Sequence, residues 1–206
     1  MKQIKAIETR YKGYKLRSRL EARWAIFFDA LGIKWEYEPE GFHLPDGSMY
    51  LPDFRVTTPD GCIVFYEVKP SGTKFDQKFS AFKDALDMQA EKINDTKARL
   101  LCGDPMFHLM ENIKVDHGIC PRCGIIGEFA YGIERCSGFT DYGCENCDYH
   151  TPCGGVNDEE NGLLAVVEPY KGWIRVSDNQ QSSMYSKVKN ACQKARSARF
   201  EHGEQP

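Results

Sequence analysis

Residues 62–69 read Cys62-Ile63-Val64-Phe65-Tyr66-Glu67-Val68-Lys69, and they follow the turn signal Pro59-Asp60-Gly61. The apolar run predicts a strand over Cys62–Lys69. Side chains alternate along a strand, so Ile63, Phe65, Glu67 and Lys69 share one face while Val64, Tyr66 and Val68 share the other. So continuous a run implies burial on both faces. A Glu and a Lys two residues apart at its end then need a reason, because buried charge costs several kcal/mol unless it is paired or holds metal. The plainer account is a strand end in water with a mutual ion pair. The alternative is a functional site.

A second carboxylate changes that balance. Asp53, in Leu51-Pro52-Asp53-Phe54, belongs to the strand-like stretch Met49–Val56. Hairpin geometry can bring it beside Glu67. An aspartate after a proline is also a common turn residue. Two carboxylates and an ammonium on one sheet edge would suit Mg²⁺ or Mn²⁺, which prefer carboxylate, water and phosphate oxygens. Lys69 could orient or help deprotonate an attacking water and balance charge on phosphorus. Glu21 is a third acid. In Ser18-Arg19-Leu20-Glu21 it fits a capping box, and it flanks the helical stripe Leu20, Trp24, Phe27, Phe28 and Leu31, which Gly32 ends. Capping and metal binding compete for it.

The flanking segments set the fold class. Residues 1–17 form a basic arm without clear periodicity. After the first helix, strands are expected over Ile33–Glu38 and near Phe42 and Leu44, before the turn Pro45-Asp46-Gly47. A helix over Lys74–Ile93 presents Phe75, Phe79, Phe82, Leu86 and Ile93, and Ala98–Cys102 reads as a short buried strand. Leu163–Val167 suggests one more strand and Ser183–Phe200 a basic helix. Helix, three strands, helix, strand implies an α/β (α+β) fold with a mixed sheet flanked by helices. The expected organisation is a core over 1–110, a zinc-ribbon insertion over 111–157, and a C-terminal strand and helix over 158–206 that pack back on the core.

The chain has 206 residues, 41% hydrophobic and 12% aromatic, which excludes wholesale disorder. Its net charge of −3 makes the whole protein no electrostatic magnet for nucleic acid. The charge is uneven, however: Lys2, Lys5, Arg10, Lys12, Lys15, Arg17 and Arg19 cluster at one end, and Lys187, Lys189, Lys194, Arg196 and Arg199 at the other. These ends could line a phosphate-binding face or simply be solvated helix faces. No apolar run approaches the roughly 18 residues of a membrane span, and no signal-peptide core is visible. A cytoplasmic protein without membrane contact is expected.

Nine cysteines, two pairs of them spaced C-x-x-C, argue for metal rather than disulfides. Cys120-Pro121-Arg122-Cys123-Gly124 is a zinc-knuckle sequence, and Cys144-Glu145-Asn146-Cys147 supplies a second pair at ribbon spacing. Four thiolates leave no open position, so such a Zn²⁺ would be structural. Cys136, His150 or Cys153 could replace a member of the second pair. Cys62 and Cys102 read as core residues, Cys192 falls on the last helix, and His117 reads as a loop residue.

Three blocks carry a resemblance: Arg17-Ser18-Arg19-Leu20-Glu21-Ala22-Arg23-Trp24, Tyr50-Leu51-Pro52-Asp53-Phe54, and Tyr66-Glu67-Val68-Lys69-Pro70. In this order they resemble the PD-(D/E)XK nuclease superfamily, and within it phage-type endonucleases that share the order with archaeal Holliday-junction resolvases. The likeness spans about residues 10–105 and a short C-terminal piece. It implies a restriction-endonuclease-like core and a metal-dependent DNA endonuclease, phage-encoded by likeness. Glu21, Asp53 and Glu67 would bind Mg²⁺ or Mn²⁺, Lys69 would assist catalysis, and the Val68 carbonyl is a further candidate ligand. A junction resolvase, which would act as a homodimer, is the alternative within the class. A zinc-containing DNA-binding protein without activity is the alternative outside it.

Overall fold

The computed structural model describes residues 6–58, 61–73, 76–90, 96–111, 117–119, 126–128, 130–133, 140–143, 166–168, 173–175 and 183–200. The first described strands form a hairpin, β1 (Thr9–Tyr11) and β2 (Tyr14–Leu16), where the sequence suggested a basic arm without clear periodicity. The signal lay in Lys12-Gly13. Both residues have positive φ, 49° and 85°, the pairing that a two-residue hairpin turn needs to match strand twist.

Helix α1 (Arg19–Leu31) starts at Ser18, whose side chain accepts from the Glu21 N–H, and ends at Gly32, which is left-handed with φ 72°. The strands β3 (Trp35–Tyr37), β4 (Phe42–His43), β5 (Met49–Tyr50), β6 (Phe54–Thr57) and β7 (Ile63–Lys69) follow. The single strand expected over Met49–Val56 is two. β5 pairs with β4, β6 pairs with β3 and β7, and Leu51-Pro52-Asp53 carries the chain between the ladders. Proline, which has no N–H to give, sits at that break.

Helix α2 (Gln77–Ala90) and β8 (Thr96–Cys102) complete the core, followed by a short π-helical turn, Phe107–Glu111. The remaining described strands form three two-stranded hairpins: β9 (His117–Ile119) with β10 (Ile126–Glu128), β11 (Ala130–Ile133) with β12 (Thr140–Gly143), and β13 (Val166–Glu168) with β14 (Trp173–Arg175). His117, expected in a loop, thus begins a strand. The last element is α3 (Ser183–Ser197).

The central sheet has the order β3-β6-β7-β8. Its β7–β8 pair is parallel and the others are antiparallel, so the sheet is mixed. β7 is covered on both faces, as its composition requires. Val64, Tyr66 and Val68 belong to one buried cluster with Trp24, Phe27 and Phe28 of α1 and with Val188, Ala191, Cys192 and Ala195 of α3. Phe65 belongs to a second cluster with Phe82 and Leu86 of α2 and with Tyr50. Burying a large apolar side chain contributes about 1.5–3 kcal/mol, so these two layers hold β7 in place. The Arg196 guanidinium meets both Asp104 oxygens, at 2.8 and 3.2 Å, and ties α3 to the turn after β8. The buried Tyr66 hydroxyl receives the Ile126 N–H at 2.9 Å, joining the β9–β10 hairpin to the sheet. Among the described residues no helix is long and apolar enough to cross a membrane.

Candidate functional site

The site arises where pairing stops. The β6–β7 ladder ends at Phe54 opposite Tyr66, whereas β7–β8 pairing runs on to Lys69 opposite Cys102. The last residues of β7 therefore have an open edge where β6 has ended. Asp53 fills part of it. Its Oδ2 accepts the Val68 N–H at 2.7 Å, and its backbone carbonyl accepts the Glu38 N–H at 2.9 Å. In a strand, one residue's N–H and C=O point to the same edge, so the Val68 carbonyl faces the side Asp53 occupies. The Asp53 residue is only 2% exposed.

Glu67 comes from the α2-covered face of β7 and is 7% exposed. Lys69 Nζ lies 2.9 Å from Glu67 Oε1 and 2.8 Å from Asp76 Oδ2. Asp76 also accepts the Phe79 N–H at 3.0 Å, which caps α2. The lysine is thus clamped between the strand and the start of a helix. Glu67 Oε2 is buried and makes no hydrogen bond of good geometry, with the Tyr50 hydroxyl as its nearby donor. A buried acceptor so poorly satisfied is costly.

Glu21 enters from α1 and is 6% exposed. Its Oε1 accepts the Ser18 hydroxyl at 2.6 Å, while Oε2 accepts the Tyr37 hydroxyl at 2.6 Å and the Arg17 N–H at 2.9 Å. The capping role read from the sequence is present, with the reach-back going to the Arg17 N–H, one residue before the cap. Arg17 closes the arrangement. Its Nη2 contacts Asp53 Oδ1, and its Nε lies 2.8 Å from Glu38 Oε1.

Five carboxylates (Glu21, Glu38, Asp53, Glu67, Asp76) face two cations (Arg17, Lys69), an excess of three negative charges when all five are ionised. The titration behaviour follows. Asp53 is raised to about 7, by burial first and then by the charges of Glu67 and Glu21, against the lowering effect of the Val68 N–H and Arg17. The Tyr50 hydroxyl makes no hydrogen bond of good geometry; burial, then nearby Glu67, pushes its pKa up. Tyr37 is raised by burial and by its bond to Glu21. Burial disfavours the Lys69 ammonium, but its bonds to Asp76 and Glu67 outweigh that and raise its pKa. Asp76 is correspondingly lowered: burial opposes ionisation, and the Lys69 bond overcomes it.

Glu21, Asp53, Glu67, Val68 and Lys69 therefore converge on one end of the sheet. Glu67, Lys69 and Asp53 are linked directly or through Val68, while Glu21 joins through Arg17 and Tyr37. No three His, Cys, Asp or Glu groups among the described residues form a ready-made metal-ligand cluster. Protein donors engage both oxygens of Glu21 and of Asp53. Asp53, Glu67 and the Val68 carbonyl are the hard oxygen donors at this end of the sheet, the type that Mg²⁺ or Mn²⁺ prefers. The sequence reading named Arg17 only as part of a basic end and gave no site role to Tyr37, Glu38, Tyr50 or Asp76. Only Asp76 carried a local signal, as a helix-start residue before Gln77.

Cys120, Cys123, Cys144 and Cys147, with Cys136, His150 and Cys153, lie outside the described residues. In sequence, Cys120 and Cys123 fall between the paired strands β9 and β10, and Cys144 directly follows β12. Cys62 and Cys192 are buried, and Cys102 is half-buried. Comparisons with protein-family models, with curated proteins and with solved structures gave no match.

Proposed function

We propose that the protein is a Mg²⁺- or Mn²⁺-dependent endonuclease that hydrolyses DNA phosphodiesters. The observation that carries this reading is the acid-rich cluster at the end of β7, in which buried Asp53 and Glu67 lie beside a clamped ammonium and one Glu67 oxygen makes no hydrogen bond of good geometry. Each acid has a cationic or hydrogen-bonding partner, but the acids outnumber the cations, an imbalance that a divalent cation would offset.

Asp53, Glu67 and the Val68 carbonyl would hold the main ion. Glu21 would serve a second ion or an outer water once it gives up a capping bond. A bound ion supplies Lewis acidity, acidifying water and offsetting charge on the phosphate. The chain's own groups do the rest. Lys69, kept protonated by Glu67 and Asp76, suits donation to the attacking water or to a phosphate oxygen rather than proton removal. Arg10, Lys12 and Lys15 on the β1–β2 hairpin lie next in sequence to the Arg17–Glu21 segment and would meet neighbouring phosphates. Cys120, Cys123, Cys144 and Cys147 are proposed to hold a structural Zn²⁺.

Cleavage of plasmid and linear DNA under Mg²⁺ or Mn²⁺ by the purified chain tests the reading, with Asp53→Asn and Lys69→Ala alongside. Cutting by the parent and by neither variant is expected. Binding of DNA without cutting under either ion would leave a binding protein instead. For the zinc, about one Zn²⁺ per chain is expected on the four-thiolate assignment, lost in Cys120→Ser; a Cys120→Ser chain with undiminished zinc would refute it.

A further inference from the structure

Arg17 occupies an unusual position for a surface arginine. Its side chain is 53% exposed, yet the guanidinium reaches inward to Asp53, a residue 2% exposed. Its second anchor, Glu38, holds a left-handed backbone with φ 44° and precedes Pro39. A non-glycine residue seldom adopts that region, and the position before proline ordinarily favours extended backbone. The strain is held by the Glu38 N–H on the Asp53 carbonyl and by the ion pair with Arg17.

Asp53 Oδ2 is committed to Val68 N–H, so Oδ1 is the oxygen left for a cation, and the guanidinium sits on it. A divalent ion there and the arginine on the same oxygen would repel at close range. The arginine need not leave the site to make room: Glu38 retains its Nε, and the half-exposed side chain has solvent on its outer side. A fork-shaped cation released there matches a phosphate bidentately.

Resting on the nuclease reading above, we propose that Arg17 is a substrate-positioning residue kept in reserve, standing on Asp53 in place of the divalent ion and passing to a DNA phosphate when that ion arrives. Metal and DNA binding are then coupled through one side chain, and coupling of this kind is reciprocal.

The test measures Mn²⁺ affinity by calorimetry for the parent, Arg17→Gln and Asp53→Asn. It also measures affinity for a short DNA duplex with and without Mn²⁺, in Lys69→Ala and in Lys69→Ala with Arg17→Gln. Arg17→Gln is expected to bind Mn²⁺ about tenfold more tightly than the parent, a coupling of ordinary size. Mn²⁺ should strengthen duplex binding in Lys69→Ala, and the strengthening should vanish when Arg17→Gln is added. Unchanged or weaker Mn²⁺ binding in Arg17→Gln, or full metal-dependent strengthening without the arginine, overturns the proposal while leaving the metal site standing. Absence of Mn²⁺ binding in the parent, or undiminished binding in Asp53→Asn, overturns the metal reading itself and this proposal with it. If Arg17→Gln loses its circular-dichroism signature, Arg17→Lys replaces it, since its single ammonium cannot bridge Glu38 and Asp53 together. A shift in the same direction is expected, and an unshifted Mn²⁺ affinity overturns the proposal.

Discussion

The two ends of β7 are built for opposite purposes. Over Ile63–Tyr66 the strand is laddered on both edges, to β6 and β8, and packed on both faces by aromatic and aliphatic side chains. Over Glu67–Lys69 one edge is open and acidic groups gather with too few cations to match them. The first half stabilises; the second half spends stability on a charge arrangement that packing alone would not choose. Proteins commonly carry such local cost at functional sites.

Substitution on either side of this divide should have opposite consequences. Phe28, fully buried against Phe54 and Tyr66, should cost about 3–5 kcal/mol when cut to Ala, read from urea unfolding. Glu67→Gln should leave stability within about 1 kcal/mol of the parent or raise it, because it removes a negative charge crowded against Asp53 while Asp76 still pairs Lys69. DNA cleavage by that variant should fall on the order of 10²–10³-fold. A Glu67→Gln protein that unfolds as readily as Phe28→Ala would erase the distinction between the two ends.

The pH dependence sharpens it. An ordinary aspartate titrates near 3.8, and Asp53 in the fold near 7. The folded state therefore binds the proton more readily than the unfolded chain does. Its stabilising effect is complete below the unfolded value and is lost as pH rises towards 7. Stability from this group should fall between about pH 4 and pH 7 and stay level above. Mg²⁺ or Mn²⁺, which favour the carboxylate, should raise the melting temperature more at pH 8 than at pH 5.5. Equal shifts at both pH values would remove Asp53 from the metal site.

A smaller effect should come from Asp76→Ser. Serine caps a helix about as well as aspartate, so melting should hardly change, while Lys69 loses one of its two anions. Cleavage is expected to drop roughly tenfold, the size of a weakened positioning contact. Loss of stability without loss of cleavage would make Asp76 a cap and nothing more.

Much of the frame was legible without coordinates because its signals are local. Alternation in Ile63–Lys69, the Ser18 cap with Glu21, and Gly32 at the end of α1 each act within a few residues. The hairpin at Lys12-Gly13 was equally local and was overlooked because the basic charges masked a short two-residue turn signal. The pairing of Asp53 with the end of β7 followed from the turn between β6 and β7, which brings neighbouring strands together. The divalent-metal expectation came from carboxylates and a lysine on one sheet edge, and the DNA substrate from resemblance; cleavage is the measurement that tests both proposals.

The sequence alone determined the strand β7 and the helices α1, α2 and α3 to within a few residues, that β7 must be covered twice, and that Glu67 and Lys69 share a face with Phe65. Only the folded chain decided that Arg17 rests on Asp53, that Glu38 strains its backbone to hold that arginine, and that Asp76 clamps Lys69. Periodicity and turn chemistry are short-range properties of the backbone, so they can be read in order. Which charge meets which across 36 residues is set by how the layers dock, and no local pattern records it.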